Sequence, residues 1–252
     1  MLGVSMLTLG PRVEANASSE HVQEIVEVCM LSNRMLKDYA LIGMGVVYQD
    51  PVADLQAGMV EMSMYLSTGV MTSTELNDDL AASMRSLDRE WKEIEPLLIK
   101  TPSKTGVPAL RLRVDHFSKQ CEAHVEALAI DTQIQGEHDL VLTGKLGMEV
   151  QRLAAIYMIR AWGADESEYY SEVDKIKKNF KKNYSELTAA KRTLGSEELQ
   201  ISLKKLDNHF LVFGFLAASR SGRFQPTRAE KIAADVFYEV RDILLLEEEL
   251  LQ

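Results

Sequence analysis

Apolar residues recur at steps of three and four along almost the whole chain beyond residue 19, a spacing that restricts the fold to packed helices. The first stripe is Val22, Ile25, Cys29, Leu36, Ala40, Gly43 and Val47, and Asp50-Pro51 breaks it because a residue before proline avoids the helical region. Val52, Leu55, Met59, Met62 and Leu66 form the second, ending near Ser67-Thr68-Gly69. The third, Leu76, Leu80, Met84, Leu87, Trp91, Ile94 and Leu98, is stopped by Pro96 and Thr101-Pro102. Val107, Leu110, Val114, Phe117, Cys121, Val125 and Leu128 make the fourth. The pattern then restarts. Helices are expected from about His138 to Trp162, from about Glu166 to Leu187, after Gly195-Ser196, and after Pro226. With 14 Gly and 6 Pro in 252 residues, a many-turned β architecture is excluded. Four amphipathic helices with short connections pack as an up-down bundle. The expectation is an all-α chain of two tandem up-down four-helix bundles, residues 18–135 and 136–252.

The two sets are related in sequence. A constant offset of 118 carries Met30, Arg34, Tyr39 and Gly45 onto Met148, Arg152, Tyr157 and Gly163, all in the first helix of each set. Leu55 with Val173, Met62 with Phe180 and Leu66 with Tyr184 match in type. This points to an internal duplication.

Composition narrows the function classes. Lys and Arg number 28 against 38 Asp and Glu, a net charge of −10, which argues against nucleic acid as the partner. No run of about 18 apolar residues is present to span a membrane as a helix. The stretch Leu2 to Leu9 followed by Ala15-Asn16-Ala17 reads as the apolar core and cleavage region of a secretory signal over residues 1–17. Export to the periplasm, an oxidising compartment, is the expected localisation. No Gly-rich phosphate loop, G-x-S-x-G or isolated carboxylate pair occurs, so the chain reads as a non-enzyme without a cofactor.

Arg34 stands out because it interrupts an apolar stripe between Met30 and Leu41, and Arg152 is placed alike between Met148 and Ile156. A guanidinium in such a setting needs a partner. That partner is either a carboxylate from another helix or a small oxyanion, which suits the planar five-donor fork.

The segment from Cys29 to Gly43 (CMLSNRMLKDYALIG) resembles the signature helix of the PilJ-type domain, related to the NarX-like nitrate/nitrite sensor module. The family pattern is roughly G-R-Q-R-M-L-S-Q-R-M-x-K. Met30, Leu31, Ser32, Arg34, Met35 and Lys37 match it, Asn33 stands in for Gln, and Val26-Glu27-Val28-Cys29 replace G-R-Q-R. The second copy keeps Gly147 and Gln151-Arg152. The resemblance implies a four-helix sensor bundle of chemotaxis type, here in tandem, binding a small anion such as nitrate or nitrite. Arg34, Arg152, Ser32, Asn33 and Tyr39 are the implied ligand-binding residues. It also implies a membrane sensor or transporter protein as partner, and either a homodimer or an intramolecular pseudo-dimer with both arginines across one seam. The rival expectation is a structural or protein-interaction adaptor whose arginines form internal ion pairs.

Cys29 and Cys121 occupy stripes of the first and fourth helices and reach similar levels along them, compatible with either a disulfide or two buried thiols. His116 and His124 flank Cys121, but no Glu-x-x-His or H-E-x-x-H is present and no metal is expected. Lys175 to Lys182 read as a solvated basic face around Ile176 and Phe180.

Overall fold

The computed structural model describes residues 11–72, 77–132, 137–164, 168–190, 193 and 195–251. Among the described residues eight helices run in chain order: α1 (Pro11–Gly43), α2 (Pro51–Thr72), α3 (Asp78–Leu98), α4 (Val107–Thr132), α5 (Glu137–Trp162), α6 (Tyr169–Ala189), α7 (Glu197–Ala218) and α8 (Pro226–Glu249). No strand occurs among the described residues, so the chain is all-α. Within the first four, α1 packs on α2 and α4, and α3 on α2 and α4; within the last four, α5 packs on α6 and α8, and α7 on α6 and α8. Each set therefore closes a ring of four helices. The most extensive helix–helix packing in the molecule, however, joins α1 to α5 across the two sets.

That packing explains the character of α1 and α5. From Ile25 to Leu41 every side chain is buried except Arg34, and from Leu140 to Ile159 every one is buried except Lys145 and Arg152. A helix apolar nearly all round must be enclosed on all sides, and here each first helix serves its own bundle and the seam. The seam is tight at its glycines. A Cβ on Gly144 would lie 2.6 Å from Val26 Cγ1, while Gly147 faces Met30 and Gly43 faces Trp162. These pairs rise together in number, so α1 and α5 are parallel, each residue of α1 facing one about 118 further on. The spatial register of the seam thus reproduces the offset of the sequence repeat.

Reciprocal contacts complete an approximate two-fold axis along the seam. α8 runs antiparallel to α1, through Lys37–Glu230 and Glu27–Arg241, and α4 runs antiparallel to α5, through Arg152–Asp115 and Lys145–Glu126. The helix ends repeat too. Gly45 and Gly163 both take positive φ, 70° and 69°. In each case the following N–H bonds back to the carbonyl five residues earlier, Val46 to Leu41 and Ala164 to Ile159, a Schellman closure that favours glycine. Tyr39 and Tyr157 accept backbone N–H bonds from Ser103 and Gln225, in the loops that precede α4 and α8.

Several boundaries differ from the periodicity reading. α1 begins at Pro11 and so takes in residues 11–17, which the sequence assigned to a leader; residues 1–10 lie outside the described residues. Proline is well tolerated in a first turn, where its missing N–H has no partner to lose. Val47 is 86% exposed, because the Gly45 closure ends α1 before it, and Val52 is also exposed. Pro96 lies inside α3, whose helix continues to Leu98. Leu76 and the 135/136 boundary fall outside the described residues. Cys29 and Cys121 form a disulfide between α1 and α4, with Cα atoms 5.6 Å apart.

Candidate functional site

The two-fold arrangement creates two grooves flanking the seam, one at each odd arginine. Arg34 lies between α2 and α8, and Arg152 between α4 and α6. Each guanidinium meets a single carboxylate oxygen at long range, Asp54 at 3.5 Å and Asp115 at 3.6 Å, and neither Nε has a hydrogen-bond partner. Neither arginine is therefore held by the bidentate pair that would saturate its fork.

The surroundings of the two arginines differ sharply. Phe237 of α8 lies over the Arg34 guanidinium, 4.4 Å from its centre to the ring, and the side chain is only 12% exposed. α4 and α8 match in burial when shifted by 119, which superposes Leu110, Val114, Cys121 and Val125 on Ala229, Ala233, Val240 and Leu244. The counterpart of Phe237 is then Ser118. Where the aromatic ring seals the first groove, the small serine leaves a crevice of about 120 Å³ in the second. Its walls are Asn33 of α1; Asp115, Ser118, Lys119 and Glu122 of α4; Met148, Glu149 and Arg152 of α5; and Lys175 and Asn179 of α6. Both bundles contribute.

Hydrogen bonds position this wall. Asn33 Nδ2 donates to Ser118 Oγ at 3.0 Å, and Ser32 Oγ shares a hydrogen bond of the same length with Ser118 Oγ. Asn179 Nδ2 donates to Glu149 Oε1 at 2.7 Å, leaving Glu149 Oε2 buried without a partner. Burial pushes the Glu149 carboxyl up to about 7, against the opposing pull of the Asn179 bond and the Arg152 charge. Glu122 is also raised by burial.

The Glu149 shift has a measurable consequence. The folded chain holds this proton more tightly than the unfolded one between about pH 4.5 and 7. Stability from this group therefore rises as pH falls through that window, and the cost of the buried charge is fully present above it. Glu149→Gln should stabilise the chain at pH 8 by on the order of 2 kcal/mol and remove that part of the slope. Urea unfolding of both proteins at pH 5 and pH 8 measures it; an equal pH slope in the two would contradict the assignment.

The sealed groove contains a second charged group. Lys37 is 1% exposed, with its Nζ 2.6 Å from Glu230 Oε1 and 3.1 Å from Asp38 Oδ1. Burial alone would lower the lysine pKa, but the Asp38 and Glu230 charges reverse this and leave it raised. Burial pushes Asp38 up to about 6 against the pull of Lys37. Oxygens of Asp38, Asp54 and Glu230 come within 4.8 Å of one another, a donor set of the type a hard cation takes. The Lys37 ammonium already lies against two of the three. In the second groove the positions of Glu230 and Asp54 correspond to Arg111 and Glu172, which pair directly with each other.

Of the residues singled out from the sequence, Arg152 and Asn33 line the crevice and Ser32 braces its wall through Ser118. Arg34 lies in the other groove, beneath Phe237. Tyr39 stands at the far end of α1, holding the α3–α4 loop. Sequence reasoning passed over Glu149, Ser118 and the Lys37–Asp38–Glu230 group. The available signal was that a helix apolar on every face leaves no exposed side for Lys37, Asp38 or Glu149. Among the described residues no helix is long and apolar enough to cross a membrane. No family model, curated protein or solved structure matches this chain.

Proposed function

We propose that the chain is an exported ligand-binding sensory or accessory module, taking a small anion or polar solute in the crevice beside Arg152 and acting through a partner protein. The observation that carries this reading is a guanidinium with one long carboxylate contact and an unpartnered Nε, lining an open crevice. Because the crevice draws walls from both bundles, a bound solute would tie α4 to α5 and α6. Binding would thereby bias how the two bundles sit, which is the kind of change a partner can read. The buried Cys29–Cys121 disulfide supports export, since such bonds persist in oxidising compartments. The resemblance of the α1 segment to PilJ-type and NarX-like sensor helices agrees with the same reading.

A second reading, a helical adaptor with no small-molecule ligand, is favoured by Arg34, whose guanidinium is closed off by Phe237 and Asp54. A thermal-shift screen of the full chain against nitrate, nitrite, other oxyanions, small organic acids and amino acids separates the two. A ligand at ~100 times its dissociation constant adds about 2.7 kcal/mol, or several degrees in a chain of this size. The sensor reading expects a selective shift that disappears in Arg152→Ala and survives in Arg34→Ala. A flat response to the whole panel would favour the adaptor.

A further inference from the structure

The walls of the crevice narrow the chemistry of what it can hold. Three bases, Arg152, Lys119 and Lys175, face three acids, Asp115, Glu122 and Glu149. An inorganic anion seated at the guanidinium would also lie among three carboxyls, and a simple cation seated at the carboxyls would lie among three bases. Either pays a like-charge penalty that the opposite charges only offset. The wall charges are only partly satisfied by each other: Asp115 faces Arg152 at 3.6 Å and Arg111 at 3.8 Å, and both Arg152 Nε and Glu149 Oε2 are buried without hydrogen-bond partners. A base and an acid that are each incompletely paired thus both belong to the lining of one small cavity. Asn33, Asn179 and Ser118 add neutral polar groups, and Met148 is the one apolar side chain of the lining.

We propose that the crevice between α4, α5 and α6 binds a small zwitterion, an amino acid with a short side chain, whose carboxylate pairs with Arg152 and whose ammonium faces Glu149 and Glu122. A molecule carrying both charges a few bonds apart satisfies donor and acceptor together and adds no net charge to the groove. The volume of about 120 Å³ leaves room for little beyond the charged groups, which excludes large side chains. Phe237 explains why one site exists rather than two: its ring occupies in the first groove the space that Ser118 leaves open in the second. This inference rests on the crevice being a ligand site, and it goes further in naming what the ligand must carry.

Calorimetric titration of the full chain with glycine, L-alanine and L-serine, with acetate and glycinamide as analogues lacking one charge, and with nitrate, tests it. The expected result is that at least one amino acid binds tenfold or more tightly than either analogue. Glu122→Gln, an isosteric change at a partly buried position, should lose most of that discrimination. Ser118→Phe, which copies the residue of the sealed groove, should abolish binding while circular dichroism shows the helical fold retained. Acetate or nitrate binding as tightly as every amino acid would overturn the zwitterion while leaving an anion site in place. Silence from amino acids, analogues and nitrate alike would overturn both the zwitterion and the ligand-site reading beneath it.

Discussion

Lys37→Met will cost about 3–5 kcal/mol of unfolding free energy. The methionine fits the space, so packing is not the cause. The loss comes from Asp38 and Glu230, both almost wholly buried, which would be left facing each other and Asp54 without the ammonium between them. Two carboxylates in that position either carry uncompensated charge or take up protons, and each route costs folding energy at neutral pH. Combining Lys37→Met with Asp38→Asn and Glu230→Gln removes the stranded charges and should recover most of the loss. Urea unfolding of the single and triple variants makes the comparison. A single variant as stable as the parent would mean that solvent reaches this cluster and that it is not the enclosed group described above.

Removing the disulfide should have an effect of similar size. Cys29 and Cys121 are 92 residues apart in sequence, so their bond shortens a long loop in the unfolded chain. On loop-closure grounds the stabilisation is about 4 kcal/mol, which corresponds to a fall in Tm on the order of 10 °C for the Cys29→Ser/Cys121→Ser double variant. Both cysteines are fully buried, so reductant should act only after unfolding. The parent scanned with dithiothreitol should then converge on the Tm of the double variant, and the double variant should be indifferent to it. Equal Tm values for parent and variant without reductant would show that the bond contributes no stability.

The charged cluster and the crevice are two outcomes of one duplicated groove. Glu230 and Asp54 in the first correspond to Arg111 and Glu172 in the second. The second pairs its charges directly, while the first needs Lys37 as a shared counterion. Phe237 against Ser118 is the matching difference in volume. A duplicated arginine thus became a sealed, structural group on one side of the seam and an accessible one on the other. Asking which of two equivalent arginines is free could not be answered from Arg34 and Arg152 themselves, since both interrupt the same kind of stripe.

Local pattern was enough for the helices. The three- and four-residue spacing located all eight, and Ser196 capped α7 through Leu199 as its position suggested, while the matching closures at Gly45 and Gly163 emerged only from the structure, the chain itself having pointed to Asp50-Pro51 as the end of α1. The spacing and the cap depend on residues within one or two turns of each other, so they are written in the order of the chain. The 118-residue offset was legible as well, but it did not say that α1 and α5 would lie parallel and in that same register at a shared seam. Whether Val47 would be covered depended on where the Gly45 turn stopped α1. Whether Lys37 would be buried with Asp38 depended on α8 bringing Glu230 from 193 positions away. Whether an arginine would have an open side depended on a serine or a phenylalanine arriving from another helix. Periodicity records which face of a helix is apolar; the side-chain volume and charge that meet that face are decided only when distant helices pack.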